Sequence, residues 1–194
     1  GPVAGSSQHS IYYKMPGIKI ISPMTPKEYL VAYNDFMKNE DVMYVSEHRG
    51  SYSNSKELND YLDDNLDLVL FPISITRFEA QKAKVELEKE GYKIGIANIL
   101  WIKPFLIKKE WEQATIKSKF GGIVLDDDYT DGVASSLAYQ LIKRTKKNFE
   151  VMGLKDKSAG FSKTTDNLPP SYKEIVTKCK EIISKKVKSW TKMN

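Results

Sequence analysis

The residues able to do chemistry are few. Asp126-Asp127-Asp128 is a run of three carboxylates that closes the apolar segment Gly122 to Leu125 and precedes a helical pattern beginning near Val133. Ligands of α/β proteins gather outside the carboxyl ends of the strands, so acids placed there are candidates for proton transfer or substrate binding. The plainer reading is that acids suit the positive N-terminal end of the following helix. Arg49, beside Glu47 and His48, offers a planar fork for a carboxylate or phosphate; the plainer reading is a surface arginine paired with a nearby acid. His9 and His48 are the two histidines, and their separation gives no close ligand spacing, which argues against a His-built metal site. Cys179 is the single cysteine, which excludes an intrachain disulfide and a Cys-based zinc site. No Gly-rich phosphate loop follows a strand, and there is no Gly-x-Ser-x-Gly elbow and no paired Cys and His. Asp131-Gly132 is an isolated dipeptide with little meaning of its own.

The elements that must position these groups alternate between strand and helix. Gly17 to Ser22 reads as a short buried strand rich in isoleucine. Thr25-Pro26-Lys27-Glu28 is a helix start, with Thr25 as cap, Pro26 at the first helical position and Glu28 completing a capping box. Tyr29, Ala32, Tyr33, Phe36 and Met37 then recur at helical spacing as an apolar stripe. Val42 to Val45 is a second strand, and the polar stretch from Ser51 to Asp64 reads as a linker. Beyond it, Leu66 to Ile75 is an apolar run of strand length. Thr76 and Glu79 suggest a second capping box, Ala80, Ala83 and Leu87 line one helix face, and Gly91 suits a left-handed helix stop. Tyr92 to Leu100 is the next strand. A helix over Lys108 to Lys117, a strand over Gly122 to Leu125, a helix through Val133, Leu137, Ala138, Leu141 and Ile142, and a strand over Phe149 to Met152 follow. Ser171 and Glu174 cap a final helix whose apolar positions are Tyr172, Ile175, Val176, Cys179, Ile182, Ile183 and Val187. This order predicts an α/β fold, a mostly parallel sheet with helices on both faces. It is preceded by part of a second α/β domain, because two strands and one helix cannot cover both faces of a parallel sheet.

Composition sets the outer bounds. The chain has 194 residues, 41% hydrophobic and 28% charged, and a formal net charge of +5. Acids and bases are interspersed, as in Lys82 to Glu90. The exception is a C-terminal cluster of Lys178, Lys180, Lys185, Lys186, Lys188 and Lys192, read as a solvated helix face. Nucleic-acid binding through that cluster is therefore not expected. No apolar run approaches the roughly 20 residues of a membrane span, and residues 1–10 lack the apolar core of a signal peptide. A cytoplasmic setting is the default expectation. Gly1-Pro2 is either native or the remnant of a cleaved tag.

Taken in order, the residues resemble a family. Gln8-His9-Ser10, Pro16-Gly17-Ile18-Lys19-Ile20-Ile21, Ser22-Pro23-Met24-Thr25-Pro26, and Val42 to Glu47 with Tyr52 resemble the end of the pyrimidine-binding domain in the beta subunits of thiamine-diphosphate-dependent 2-oxoacid dehydrogenases, the pyruvate and branched-chain type. Ile102-Lys103-Pro104, the acidic turn Asp126 to Gly132, and Leu168-Pro169-Pro170 resemble marks of the transketolase-type C-terminal domain that follows it. The resemblance spans nearly the whole chain and rests on order and spacing, with no single strong motif. It implies that residues 1–52 are the tail of a pyrimidine-binding-type domain, 53–64 a linker and 65–194 a transketolase C-terminal domain-like unit.

The resemblance also implies roles. His9 would hold the place of the histidine that faces substrate on the cofactor, hydrogen-bonding or protonating an oxyanion-like intermediate. A side chain that titrates near neutrality suits that task. Arg49 would border the substrate entrance. The glutamate that activates the aminopyrimidine and the Gly-Asp-Gly motif for magnesium and diphosphate are absent from this sequence. Thiamine diphosphate and magnesium are thus expected in the intact assembly and not on this chain alone, which would be inactive by itself. The implied partners are an alpha-type subunit or upstream domains carrying the diphosphate site, a second copy paired through the C-terminal domain, and a lipoyl acyltransferase core. The chain departs from the family in a shorter stretch between His9 and Pro16, and in Lys38 where an aspartate often serves a monovalent cation, so no such ion is expected. Two other functions fit the same pattern: part of a transketolase-like ketol-transfer enzyme, or a non-catalytic assembly or binding module.

Overall fold

Leu68 to Pro72 forms a strand in which every residue is buried, as a strand covered on both faces requires. The structure is a computed structural model that describes residues 7–158, 160 and 166–191, with side chains described as far as Lys185. Gly1-Pro2, Lys192 and the side chains of Lys186, Val187 and Lys188 lie outside the described residues. The helices are α1 (His9–Tyr13), α2 (Pro26–Lys38), α3 (Thr76–Lys89), α4 (Lys109–Lys117), α5 (Val133–Thr145) and α6 (Tyr172–Thr191). The strands are β1 (Ile18–Ile21), β2 (Val42–Val45), β3 (Leu68–Pro72), β4 (Ile94–Ile96), β5 (Trp101–Lys103), β6 (Gly122–Tyr129) and β7 (Phe149–Leu154).

Four strands make the main sheet in the order β4-β3-β6-β7, and every pair is parallel. Side chains alternate across it. Val69 and Phe71 of β3 pack with Trp111 of α4 and Leu137 and Leu141 of α5. Leu68 and Leu70 face the other way, against Ala80, Ala83 and Leu87 of α3 and Ile175 and Cys179 of α6. This period of two explains why β3 reads as an unbroken apolar run: both faces carry a helix layer. The α/β architecture with helices on both faces is therefore present.

Residues ahead of that sheet form a second, three-stranded one in the order β2-β1-β5. β1 and β2 are parallel, while β5 joins β1 antiparallel. The sequence placed residues 92–100 in one strand and left Trp101 to Lys103 outside any strand. Instead the strand ends at Ile96, and the chain crosses to complete the other sheet. β5 thus knits the two units together. Lys103 strengthens the joint by donating from Nζ to the Tyr13 carbonyl at 3.0 Å and to that of Met15, a cation meeting the orphan carbonyls at the end of α1.

An ion pair between a buried arginine and a half-buried glutamate fastens the units a second time. Arg77, 1% exposed, donates from both terminal nitrogens to Glu28 of α2, at 2.8 and 2.6 Å, and from Nε to Asn98 at 3.1 Å. Glu28 is the residue expected to close a capping box with Thr25. The Thr25 hydroxyl does accept the Glu28 N–H, and Glu28 in return accepts the N–H of Met24. The second expected box is absent. Thr76 donates its hydroxyl to Ile73 and Leu125 carbonyls, and Glu79 accepts the N–H of Tyr172 at the start of α6. Tertiary partners outcompeted the local motif there. The Ser171–Glu174 box is formed in both directions, and Gly91 has the left-handed φ of +86° expected of it.

The apolar stripe of α2 is only partly covered. Ala32 is buried, but Tyr33, Phe36 and Met37 are 67%, 55% and 78% exposed. Val42 and Val45 of the neighbouring strand are exposed too. β2 is an edge strand of its sheet, and among the described residues no further strand pairs with it. No helix among the described residues is long and apolar enough to cross a membrane.

Candidate functional site

The crevice most favourable to ligands in an open α/β sheet lies where successive connections run to opposite sides. Here the chain leaves β3 towards β4 on one side and returns to β6 on the other, so that point falls at the carboxyl ends of β3 and β6. The acidic triplet lies there. Asp126, Asp127 and Asp128 belong to β6, which runs on to Tyr129 with an irregularity in its pairing after Leu125. All three are buried, Asp126 completely.

The imidazole of His9 fills the crevice from above. It is 0% exposed. Nε2 sits 3.0 and 3.1 Å from the two oxygens of Asp126 and 3.6 Å from Asp128 Oδ2, while Nδ1 sits 3.1 Å from Ser46 Oγ. Burial alone would make the ring less basic. The carboxylate and hydrogen bond of Asp126, helped by Asp127 and Asp128, outweigh it and push the His9 pKa up from 6.5 to about 9. His9 is thus an imidazolium at neutral pH, donating to both sides.

The rest of the triplet is wired into the same corner. Asp128 Oδ2 accepts the Ser10 N–H at 2.9 Å, at the N-terminus of α1. Ser10 in turn accepts the Val133 N–H at 2.9 Å, meeting an orphan donor of α5. The acids therefore do not serve α5, whose first turn carries no acid and whose N-cap is Gly132. They hold the short helix that carries His9. Gly132 is required by the close approach, because a Cβ there would lie 2.2 Å from Ser10 Oγ. Asp127 Oδ2 accepts from the Ser74 hydroxyl at 2.6 Å, joining the ends of β3 and β6. Ser74 adopts a left-handed φ of +53°, a conformation non-glycine residues hold only when their surroundings impose it. Among the described residues the other oxygen of Asp127 has no partner at hydrogen-bond distance. Burial and the charge of Asp126 raise the Asp127 pKa from 3.8 to about 6.

Sequence reasoning picked out His9 and the triplet separately, on different grounds. Joining residues 117 to 119 positions apart is a tertiary act, and no spacing rule could have shown it. Ser46 and Ser74 were not singled out, and a lone serine after a strand gives no signal. Arg49 lies elsewhere. It opens the 3-10 turn Arg49–Ser51, is exposed, and is capped by His48, whose Nδ1 accepts the Gly50 N–H at 3.0 Å. A cavity of about 550 Å³ lies where the two sheets meet, lined by Lys19, Asp35, Asn98, Trp101, Lys108 and Trp111 among others. None of His9, Arg49 or the triplet lines it.

No known family profile matches the chain, and no curated protein sequence matches it. Among solved structures it is similar to one described as a split gene transketolase, an inactive beta4 tetramer. That similarity has a TM-score of 0.69 at 13% identity and covers 90% of this chain. The chain spans 60% of the length of that one. At such identity the likeness speaks for the fold alone, an α/β fold like the transketolase C-terminal domain.

Proposed function

We propose that this chain is the C-terminal, assembling part of a thiamine-diphosphate-dependent 2-oxoacid dehydrogenase, of the beta-subunit type. The observation that carries the reading is the pairing of a finished four-stranded parallel sheet with a three-stranded one left open at β2. The open side shows the apolar residues Tyr33, Phe36, Met37 and Val42, a surface that suits cover by further α/β structure. The order of motifs from Gln8-His9-Ser10 to Leu168-Pro169-Pro170 supports the dehydrogenase type over other members of the fold.

The residues present do not make a thiamine diphosphate site. The cavity between the sheets has Lys19 and Lys108 in its lining, but both are already paired with carboxylates. Its lining carboxylate, Asp35, is held by Lys19. No Gly-Asp-Gly motif occurs in the sequence. The cofactor and its magnesium would be held by an alpha-type subunit or upstream domains, and no step through them is built on these residues. This chain would supply the dimer contact and a docking face for a lipoyl acyltransferase core.

His9 would bring a fixed positive charge to the rim of the site. As an imidazolium it can stabilise a developing oxyanion. Giving up a proton requires Nε2 to leave Asp126, so proton transfer and the Asp126 bond exclude each other. Arg49, exposed on the turn after β2, would meet the substrate carboxylate.

The test is to co-express the chain with an alpha-type partner and assay 2-oxoacid decarboxylation. Activity that appears with the partner and falls at least tenfold in His9→Gln supports the reading. Activity unchanged by the substitution removes His9 from the chemistry. A second reading is favoured by the split gene transketolase likeness: a ketol-transfer enzyme part. Turnover of a ketose phosphate, with none of a 2-oxoacid, would select it.

A further inference from the structure

We infer that His9, Asp126 and Asp127 form a binding site for one divalent transition-metal ion, of the zinc or manganese kind, at the junction of α1 with the β3 and β6 ends. Each of the three offers a ligand atom, and these atoms all lie within 4.8 Å of one another. Bonds of about 2.1 Å at the tetrahedral angle hold two donor atoms about 3.4 Å apart, so the 3.0 Å between His9 Nε2 and Asp126 Oδ1, now a hydrogen bond, need open by only a few tenths of an ångström to admit the ion. One imidazole and two carboxylates suit zinc or manganese better than calcium or magnesium, which prefer oxygen alone.

A second observation points to a ligand independently of the cluster. Asp127 is 2% exposed, and among the described residues its Oδ1 has no partner at hydrogen-bond distance, although the Ser7 side chain is near enough to favour its charged form. An unpaired carboxylate oxygen out of water is costly, and buried charges are normally paired or coordinate metal. The charges agree. Three buried carboxylates face one imidazolium, and among the described residues no lysine or arginine forms an ion pair with any of them. A divalent cation in place of the Nε2 proton would cut that excess from two negative charges to one.

The supporting groups are already in place. Ser46 Oγ stands 3.1 Å from Nδ1, the outer contact that orients a metal-bound imidazole and fixes its tautomer. Ser74 holds Asp127 through its other oxygen, leaving Oδ1 available. Binding would proceed by loss of the Nε2 proton to solvent, the metal taking its place between the ring and Asp126. The ring then remains neutral, with its proton on Nδ1 donated to Ser46. Gln8, next along the chain, is exposed, so the site lies just beneath the surface.

The experiment uses the full chain without a histidine tag. Zinc chloride is titrated by calorimetry in two buffers of different ionisation enthalpy, and the histidine ring resonances are followed by NMR. One ion per chain is expected, with release of about one proton at neutral pH. The His9 resonances should shift while those of His48 stay. Asp127→Asn, which keeps the shape and removes the charge, should weaken binding at least tenfold, as should Asp126→Asn. Zinc that moves His48 alone, or binds equally in both variants, or does not bind at all, overturns the inference. The resonance assignment needs no variant, so a variant that fails to fold leaves the test intact.

Discussion

Raising the pH above neutrality should loosen this protein chiefly through His9. Its folded pKa, about 9, lies above the value of about 6.5 expected in the unfolded chain. The folded state therefore binds the extra proton across that window, and stability falls as pH rises through it. The stabilisation is complete below pH 6.5 and gone above pH 9. Each pH unit within the window is worth at most about 1.4 kcal/mol, so the whole loss is about 3 kcal/mol. That is a large share of the 5–15 kcal/mol typical of a folded domain. Asp127 acts in the same sense at lower pH: its raised pKa, from 3.8 to about 6, also makes the folded state bind the extra proton and lose stability as pH climbs through that range. The assay is urea unfolding at half-unit steps from pH 5 to 9.5, paired with NMR titration of the two histidines. His48, whose pKa burial lowers, serves as internal contrast. In His9→Gln the decline between pH 6.5 and 9 should vanish. A His9 titration at or below 6.5, or a stability curve flat over that window, would refute the ion-pair account.

Other outcomes follow from single contacts. Arg77→Ala should cost about 1–3 kcal/mol in urea unfolding, because it strands the half-buried Glu28 carboxylate without its partner; a loss near zero would mean that solvent screens the pair. Gly132→Ala should destabilise by about 1–3 kcal/mol through collision with Ser10, and a crystal structure should show α1 displaced. Phe71→Ala should cost about 3–5 kcal/mol, since the ring is fully buried and packs edge-on to Trp111 with centroids 5.9 Å apart. The quickest check on that variant is the accompanying change in tryptophan fluorescence.

The class of fold was legible because it depends on local order. Alternating apolar runs and amphipathic stretches, with Thr25-Pro26, Gly91 and Ser171 through Glu174 as punctuation, fix where most strands and helices lie and demand a layered α/β sheet. The limits of that reading are equally physical. An apolar stripe such as Tyr33, Phe36 and Met37 states what a helix face needs and not whether this chain covers it; here it stays exposed. A three-residue strand such as Trp101 to Lys103 is too short to carry a period, and only its pairing with β1 reveals it.

The candidate site divides in the same way. The sequence by itself determined that acids would stand at the carboxyl end of β6 and that a lone histidine would sit near the start of the chain. Only the tertiary structure decided that they meet. The contact spans more than a hundred residues and is fixed by α1 docking over the β3 and β6 ends, with Ser10, Gly132 and Lys103 holding it there. Charge state went with it. A histidine's pKa is set by what surrounds the ring, and nothing in the residues next to His9 foretells the three carboxylates that keep it protonated.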